Sequence, residues 1–426
     1  MTVRIDLDRL APEPERLSRR LDELAAFHDP DHAGWSREVF SDPYRASREW
    51  VRAQMIEAGL ETTVDPAGNI IGRLPGKDTS APALVTGSHT DTVRQGGRFD
   101  GIVGVIGGIE VAQRLRETGT RLERDLLVVD FLGEEANEFG ISCLGSRSIA
   151  GILAPEHLER TDGTGLRLGD AMEGFGLSPG AALGSGWRAR DVHGYVELHV
   201  EQGPLLERSG HGIGVVTAIA GIDRLLVHFA GQTGHAGTTP MPDRHDALVS
   251  AAAAVLTVER VGCGAPVHGV ATLGSIDSAP RSMGVITDEA RLWAEIRSVD
   301  GNWLRGAQKQ IVDEIAAEAG QRGVGVDFEW LTDQDPVPTD ALVQDMIAGA
   351  ADGLGLDWKA VPSGAGHDAA HLARLGPMGM VFIPSVGGRS HCPEELTEVA
   401  DIARGAHVLA ATLVDLDHRD KPVSIQ

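Results

Sequence analysis

The sequence predicts an α/β fold with a smaller inserted domain, and two observations carry this prediction. Short apolar runs that are typical of buried strands alternate with longer segments whose apolar residues recur at helical spacing. The chain is 426 residues long, which exceeds the size of one ordinary hydrophobic core. We therefore expect a main α/β domain and a second, smaller domain.

The main sheet is predicted from the two outer parts of the chain. Helical spacing of apolar residues marks three segments, 41–59, 101–118 and about 397–416. Apolar runs predict strands over 83–86, 125–132, 195–200 and 379–384. Because ligands of open α/β sheets bind beyond the carboxyl ends of the strands, the residues at those ends are the first candidates for a site.

The middle of the chain has a different pattern. Strand-like runs over 224–229 and 290–297 flank a helical stretch over 246–259, and a further helix is predicted over 303–320. This content lies between candidate site motifs on both sides. We therefore expect a catalytic domain formed by residues 1–214 and 331–426, with residues 215–330 as an inserted α+β domain.

Composition disfavours several function classes. The formal net charge of −24 argues against a nucleic-acid surface, because binding phosphates requires a basic patch. The longest small-apolar run is far too short to span a bilayer, and the amino terminus lacks the apolar core of a signal peptide. Three cysteines do not make a disulfide framework and fit a reducing compartment. We expect an acidic cytoplasmic protein.

Five short motifs hold the candidate metal ligands. They lie at 87–91, 97–101, 133–135, 197–201 and 389–391. Together they supply three histidines and several carboxylates, the ligand set that suits a pair of divalent metals. Sites of this type accept zinc, manganese, cobalt or nickel, so the residues leave the metal open.

The first two motifs offer a histidine and two aspartates. Asp91 could orient the imidazole of His89 from behind, and Asp100 could bridge two metals with its two oxygens. The alternatives are a turn histidine beside a helix cap and a turn aspartate before a glycine.

The other three motifs also have ordinary structural alternatives. Glu134 and Glu135 follow an apolar strand as adjacent carboxylates, which repel each other unless a cation or proton compensates. One could bind a metal while the other moves a proton, or both could be a solvated strand end. His199 and Glu201 could form the exposed face of an edge strand, and His391 could be an ordinary loop histidine.

Four segments, in this order, carry a resemblance to a known family. They read Gly-Ser-His-Thr-Asp at 87–91, Gly-Glu-Glu at 133–135, Leu-His-Val-Glu-Gln-Gly-Pro at 198–204 and Ser-His-Cys-Pro-Glu-Glu at 390–395. From about residue 41 to the last predicted helix, the chain resembles binuclear metallopeptidase-like amidohydrolases of the hydantoinase/carbamoylase branch. The resemblance implies a mixed-sheet metallopeptidase-like catalytic domain with an inserted lid and dimerisation domain. It implies metal-dependent hydrolysis of a linear amide or ureido C–N bond, most simply of an N-carbamoyl amino acid or related ureido acid.

The resemblance implies a role for each metal-site residue. The ligands to two divalent metals would be His89, Asp100, His199, Glu135 and His391. Asp100 would bridge the two metals, and Asp91 would orient His89. Glu134 would act as the general base for a water that bridges the metals and attacks the carbonyl carbon.

The resemblance also implies substrate-binding residues and a homodimer. His235 matches the histidine that reaches a neighbouring subunit's active site to stabilise the oxyanion. Arg297 matches an arginine that grips a substrate carboxylate, with a surface ion pair as its alternative. Gln202 and His367 match positions that line the substrate pocket. The expected partners are therefore a small carboxylate-bearing substrate and a second copy of the chain.

Four positions depart from the pattern of this branch. Arg281 and Gly284 replace two asparagines, Thr287 replaces a proline, and His245 stands where arginine is frequent. The second asparagine helps to hold the substrate carboxylate in this branch. The departures leave the metal site intact but open the identity of the substrate.

Two other functions remain open on the sequence. One is a dipeptidase or N-acyl-amino-acid deacylase of the same superfamily. The other is a non-catalytic binding protein, which would have lost a ligand or the base; this chain retains them all.

Overall fold

A computed structural model describes residues 7–418, apart from the side chains at 332 and 333. Two compact units are present. The first comprises the described chain up to Thr217, Thr339–Val361 and the residues from His367 onward; the second comprises Ala218–Pro338 and Pro362–Gly366. We place the second boundary at Pro338 rather than at 330, because a strand runs through residue 330 and pairs along its length within the second unit.

The described chain contains the following strands: β1 Glu61–Val64, β2 Ile70–Leu74, β3 Ala83–His89, β4 Leu126–Phe131, β5 Val192–Val200, β6 Ile213–Ile219, β7 Gly221–Ala230, β8 Val270–Ala279, β9 Glu289–Ser298, β10 Gly325–Gln334, β11 Val337–Pro338, β12 Trp358–Ser363 and β13 Met378–Ile383. Its α-helices are α1 Pro14–Ala25, α2 Asp42–Glu57, α3 Ile102–Glu117, α4 Leu144–Ile149, α5 Pro155–Leu158, α6 Leu168–Gly174, α7 Pro179–Ala182, α8 Leu205–Ser209, α9 Ala247–Cys263, α10 Gly301–Gln321, α11 Ala341–Gly353, α12 Asp368–Leu372 and α13 Val399–Asp417. Every helix and strand predicted above is present, with ends shifted by a few residues.

The larger sheet is mixed, which confirms the predicted fold class. Its order is β1-β2-β4-β3-β5-β13-β6-β11, with β12 paired to β6. The four central strands β4, β3, β5 and β13 are parallel, and β2 and β6 flank them in antiparallel orientation. The carboxyl ends of the four central strands therefore lie at one edge of the sheet, where four of the five motifs begin or end.

Two helices form much of the core against this sheet. Helix α3 is buried along nearly its whole length, and α13 buries most of its second half. Gly104 permits the close approach of α3, because a Cβ there would overlap the carbonyl oxygen of Leu198 in β5. This contact sets the start of α3, and with it Asp100, beside the strand that carries His199.

The second unit is an α+β unit with its own core. Its sheet is antiparallel in the order β10-β7-β9-β8. Apolar residues of this sheet pack with those of α9 and α10 in a separate cluster that includes Phe229, Leu292 and Ile311. Strand β8 escaped prediction because it is the edge strand and most of its residues are exposed, which leaves no apolar run. Among the described residues, no helix is long and apolar enough to cross a membrane.

Candidate metal centre

The predicted ligands lie within or just beyond the central strands and at the start of one helix. His89 is the last residue of β3, His199 is the penultimate residue of β5, and Glu135 follows β4. Asp100 precedes α3, and His391 lies in the loop after β13. Their ligand atoms form two groups in which all atoms lie within 4.8 Å of one another, His89–Asp100–His199 and Asp100–Glu135–His391.

Asp100 belongs to both groups, and its two oxygens face different partners. Oδ1 lies 3.2 Å from Nε2 of His199 and 3.8 Å from Nε2 of His89. Oδ2 lies 3.3 Å from Nε2 of His391, which is also 3.4 Å from Oε1 of Glu135. A carboxylate with one oxygen in each of two ligand groups has the arrangement of a bridging ligand.

The protonation of the two buried histidines fits a metal. Nδ1 of His89 donates to the carbonyl of Asp91 at 3.0 Å, and Nδ1 of His199 donates to the carbonyl of Val200 at 2.9 Å. In the neutral ring, Nε2 then carries the lone pair and faces the carboxylates. Nε2 of His199 is buried and makes no hydrogen bond within residues 7–418. A cation between this nitrogen and Asp100 would satisfy both groups.

The pKa values of the buried carboxyl groups indicate that cations would stabilise this site. Burial raises the pKa of Glu134 well above its usual value, and the neighbouring charge of Glu135 raises it further. Burial raises the pKa of Glu135 to about 7 despite the opposing influence of His391. Although burial opposes ionisation of Asp100, the adjacent imidazoles of His199 and His391 hold its pKa well below the usual range. Carboxylates packed this closely are stabilised by positive charge between them.

Asp91 links His89 to the glutamate pair. Its Oδ1 accepts the backbone N–H of Glu134 at 3.2 Å, and its Oδ2 accepts that of Glu135 at 3.0 Å. The imidazole of His89 bonds the backbone carbonyl of Asp91, while the carboxylate is more distant at 3.6 Å. Asp91 therefore lies beside the ring of His89, and its main chain rather than its carboxylate makes the closer contact.

Glu134 lies beside both ligand groups without belonging to either. Its Oε2 is 3.6 Å from Nε2 of His89, and its Oε1 accepts the thiol of Cys143 at 3.7 Å. The backbone N–H of Cys143 also donates to the carbonyl of Glu134 at 2.9 Å. Glu134 is thus held in place on both sides with a carboxylate that remains available for proton transfer.

The edge-strand explanation for His199 and Glu201 is wrong. Strand β5 lies between β3 and β13, and all nine of its residues are buried. The carboxylate of Glu201 accepts the backbone N–H groups of Leu205 at 2.6 Å and Leu206 at 2.8 Å, so it caps α8. Of the two, His199 belongs to a candidate ligand group and Glu201 does not.

Gln202 and His367 also lie at this centre. The side-chain amide of Gln202 donates to Oδ2 of Asp100 at 2.6 Å, so it contacts the carboxylate that the two candidate ligand groups share. His367 is buried, and its ring centroid lies 4.5 Å from that of His199. It forms a third group with His199 and Glu197. Sequence reasoning assigned no role to Glu197, although its position two residues before His199 on one face of β5 was a usable signal.

His235 lies in the second unit on an exposed loop. Its Nδ1 accepts the backbone N–H groups of Gly237 at 3.0 Å and Thr238 at 3.2 Å. In the neutral ring the proton is therefore on Nε2, which makes this atom a hydrogen-bond donor. The guanidinium of Arg244 holds the loop through the carbonyls of Ala236 at 2.6 Å and Thr239 at 3.0 Å.

Arg297 also lies in the second unit, as do the four positions at which the sequence departs from the pattern of the carbamoylase branch. Arg297 on β9 donates to Glu295 at 2.6 Å and to the carbonyl of Gly364 at 3.3 Å. The carbonyl of Gly284 accepts the N–H of Ala236 at 2.9 Å, so the segment around Gly284 is hydrogen-bonded to the loop that carries His235. His245 bonds the carbonyl of Arg322 at 3.0 Å, which is a structural contact.

Replacing Gly101 with alanine is expected to weaken metal binding. Gly101 has φ 70°, and a Cβ at this position would overlap Nε2 of His89, the atom that faces Asp100. We expect the metal content after dialysis to fall below that of the wild type. Gly119→Ala is the matched control, because Gly119 has φ 71° but a Cβ there meets no atom within 4 Å. The control is expected to cost about 1–2 kcal/mol of stability and no metal. Equal metal loss in both variants would contradict the assignment.

Comparisons with known proteins identify the family of the chain. The chain matches the peptidase family M20/M25/M40 over residues 85–415. It is 36% identical over 406 residues to the N-carbamoyl-L-amino-acid amidohydrolase of Paenarthrobacter aurescens, covering 95% of this chain and 98% of that one. It is 37% identical over 415 residues to the ureidoglycolate hydrolase of Arabidopsis thaliana, covering 96% and 87%.

A solved structure supports the same family assignment. The hydantoinase/carbamoylase family amidase from Burkholderia multivorans superposes with a TM-score of 0.85 at 34% identity, covering 97% of this chain and 100% of that chain. The predicted resemblance to hydantoinase/carbamoylase amidohydrolases is thereby confirmed. The chain belongs to the peptidase family M20/M25/M40 and is a hydrolase that acts on C–N bonds.

Proposed function

We propose that this enzyme hydrolyses a linear ureido C–N bond of a small carboxylate-bearing acid with two divalent metal ions. The observation that carries the proposal is the position of Asp100, with one oxygen in each of two ligand groups. Relatives named for N-carbamoyl-L-amino acids, ureidoglycolate and allantoate support a ureido substrate. Each of those substrates combines a ureido group with a carboxylate.

The two metals would be held by the five predicted ligands. His89, Asp100 and His199 would hold one, and Glu135 and His391 would complete the site of the other, with Asp100 shared. When bound, divalent cations supply Lewis acidity, which polarises the scissile carbonyl and lowers the pKa of the attacking water. Zinc, manganese, cobalt and nickel all suit this ligand set.

Glu134 would act as the general base. Its carboxylate belongs to neither ligand group and accepts the thiol of Cys143, while its backbone N–H donates to Asp91. Glu134 would accept the proton of the attacking water at one carboxylate oxygen. It would then deliver that proton to the nitrogen that leaves the carbonyl carbon.

His235 and Arg297 would bind the substrate. The proton on Nε2 of His235 suits donation to an oxyanion, and the guanidinium of Arg297 suits a carboxylate. A hydrogen bond from Arg244 to the carbonyl of Ala236 stabilises the conformation of the loop that carries His235. We propose, as in the family, that His235 serves the active site of a second copy of the chain.

A homodimer is supported by one face of the second unit. Strand β8 is an unpaired edge, and apolar side chains are exposed on and near it and on α9. Val267 is 79% exposed, Leu256 64% and Val270 48%. An edge strand with adjacent apolar side chains suits pairing with the same face of another copy. Cys143, Cys263 and Cys392 form no disulfide among the described residues, which supports the proposed cytoplasmic location.

His235→Ala is expected to lower kcat by about 10²–10³-fold, as loss of one oxyanion donor does. The loss should leave metal content unchanged, because His235 is not in a metal-ligand group. Mixing His235→Ala with Glu134→Gln after reversible dissociation should restore part of the activity, because each mixed dimer keeps one complete set of residues. Sedimentation would verify that mixed dimers form. Mixed dimers without any regained activity would rule out a histidine that acts across the dimer.

A hydrolysis screen tests the proposed substrate class. The metal-loaded enzyme would be assayed with carbamoyl-α-amino acids, carbamoyl-β-alanine, allantoate, ureidoglycolate, N-acyl amino acids and dipeptides. Ammonia or CO2 release from a ureido acid supports the proposal. Turnover restricted to dipeptides or N-acyl amino acids would favour the dipeptidase or deacylase alternative, and no turnover with any metal would favour a binding protein.

A further inference from the structure

Two residues of the motifs near the candidate metal centre are not among the proposed ligands, and no role has yet been given to them. Glu395 ends the Ser-His-Cys-Pro-Glu-Glu segment, and Gly97 begins the segment that contains Asp100. Glu395 is buried at 3% exposure and forms no ion pair with lysine or arginine in the described part of the chain. A buried carboxylate without a counter-charge is costly, so its position requires a reason.

The carboxylate of Glu395 joins two segments that are almost three hundred residues apart in sequence. Its Oε1 accepts the backbone N–H groups of Phe99 at 2.8 Å and Asp100 at 3.1 Å. Its Oε2 lies 2.7 Å from Oγ of Ser390, the residue before His391. The same hydroxyl lies 2.6 Å from Oδ2 of Asp100. One carboxylate thus contacts the main chain of the bridging aspartate and the loop that carries a ligand of the second metal.

Gly97 makes room for this carboxylate. A Cβ at position 97 would overlap the carboxyl group of Glu395, although Gly97 does not have a positive φ. The glycine is therefore required by the proximity of Glu395 rather than by backbone conformation. Both unexplained residues serve the same contact.

We propose that Glu395 is a positioning residue that holds Asp100 and the Ser390–His391 segment in one arrangement, so that it governs retention of the metal bound by Glu135 and His391. The inference rests on the proposed two-metal function. Without Glu395, two backbone N–H groups beside Asp100 lose their acceptor and Ser390 loses one of its two contacts. The carboxylate of Asp100 and the imidazole of His391 could then separate, whereas His89 and His199 keep their own hydrogen bonds.

The chain offers a conservative variant and a matched control. In Glu395→Gln, the amide oxygen can accept the N–H groups of Phe99 and Asp100, and the amide nitrogen can donate to Ser390. Glu395→Ala removes all of these bonds. Glu394→Ala alters the adjacent glutamate, which is exposed and pairs with Arg389 at 2.9 Å.

The test is calorimetric titration of each full-length, metal-free variant with Mn²⁺, together with its melting temperature without metal. The wild type should bind about two Mn²⁺, and Glu395→Ala should raise the Kd of the weaker site by about 10–100-fold. Glu395→Gln should stay within about threefold of the wild type, and Glu394→Ala should be unchanged. If Glu395→Ala does not fold, Ser390→Ala provides a milder variant that should also weaken only the weaker site.

Three outcomes are decisive against the inference. Wild-type Kd values at both sites in Glu395→Ala would overturn it, as would an equal loss in Glu395→Gln. In the third outcome, both Glu395→Ala and Ser390→Ala lose metal affinity and also melt at a lower temperature without metal, by equal amounts. That result would mean that the two residues stabilise the fold rather than position the ligands. Failure of the wild type to bind a second Mn²⁺ is a different result, because it would contradict the proposed function itself.

Discussion

Glu134→Gln is expected to reduce kcat by about 10²–10⁴-fold, the usual contribution of a positioned general base. Glutamine preserves the size of the side chain but cannot accept and return a proton. Because Glu134 belongs to neither ligand group, metal content should stay near two ions per chain. Steady-state kinetics and elemental analysis of the same preparation would check both parts of this prediction.

The control for this variant is Glu138→Gln. Glu138 lies four residues away but is exposed, and its carboxylate pairs with Arg94 at 3.2 Å. It should retain wild-type kcat and metal content. Normal turnover in Glu134→Gln would remove Glu134 as the base, and loss of metal in that variant would make it a ligand.

Asp100→Asn should affect both metals at once. An amide has one ligand oxygen instead of two and carries no negative charge, so it cannot serve both ligand groups. We expect metal content to fall to one ion or fewer. Activity should fall about 10³-fold or more, because metal polarisation contributes several kcal/mol and about 1.4 kcal/mol is worth tenfold in rate.

Asp170→Asn is the matched control for Asp100→Asn, because the side chain of Asp170 is 42% exposed and pairs with Arg167. Elemental analysis after gel filtration would count the ions in both variants. If Asp100→Asn retained two ions with wild-type affinity, Asp100 could not be the shared ligand.

Local sequence patterns were sufficient for the four central strands of the larger sheet. Its central strands are buried on both faces, so they read as continuous apolar runs such as Asp125–Leu132. Strand β8 was missed because it lies at an edge and carries exposed residues, which produce no such run. Residue 330, the predicted end of the inserted domain, lies within β10. This strand alternates half-buried and exposed side chains, and only its pairing with β7 shows where it ends.

The candidate site was also predictable only in part from the sequence. Residue types and motif order pointed to His89, Glu135 and His199 as ligands, since the chemistry of a divalent metal depends on those types. The alternation of the strand placed His199 and Glu201 on one face and left the role of Glu201 open. The hydrogen bonds from α8 to Glu201 decide that question.

By itself, the sequence determined the fold class, because this depends on apolar periodicity. The ordered motifs, through their resemblance to a known family, predicted the five ligands and Glu134 as the base. Tertiary structure alone decided that the two oxygens of Asp100 face different histidines and that Glu395 joins two distant segments. It also decided which nitrogens of His89 and His199 remain free. The physical reason is that a hydrogen bond or a shared ligand depends on distance and direction between atoms, which chain order does not specify.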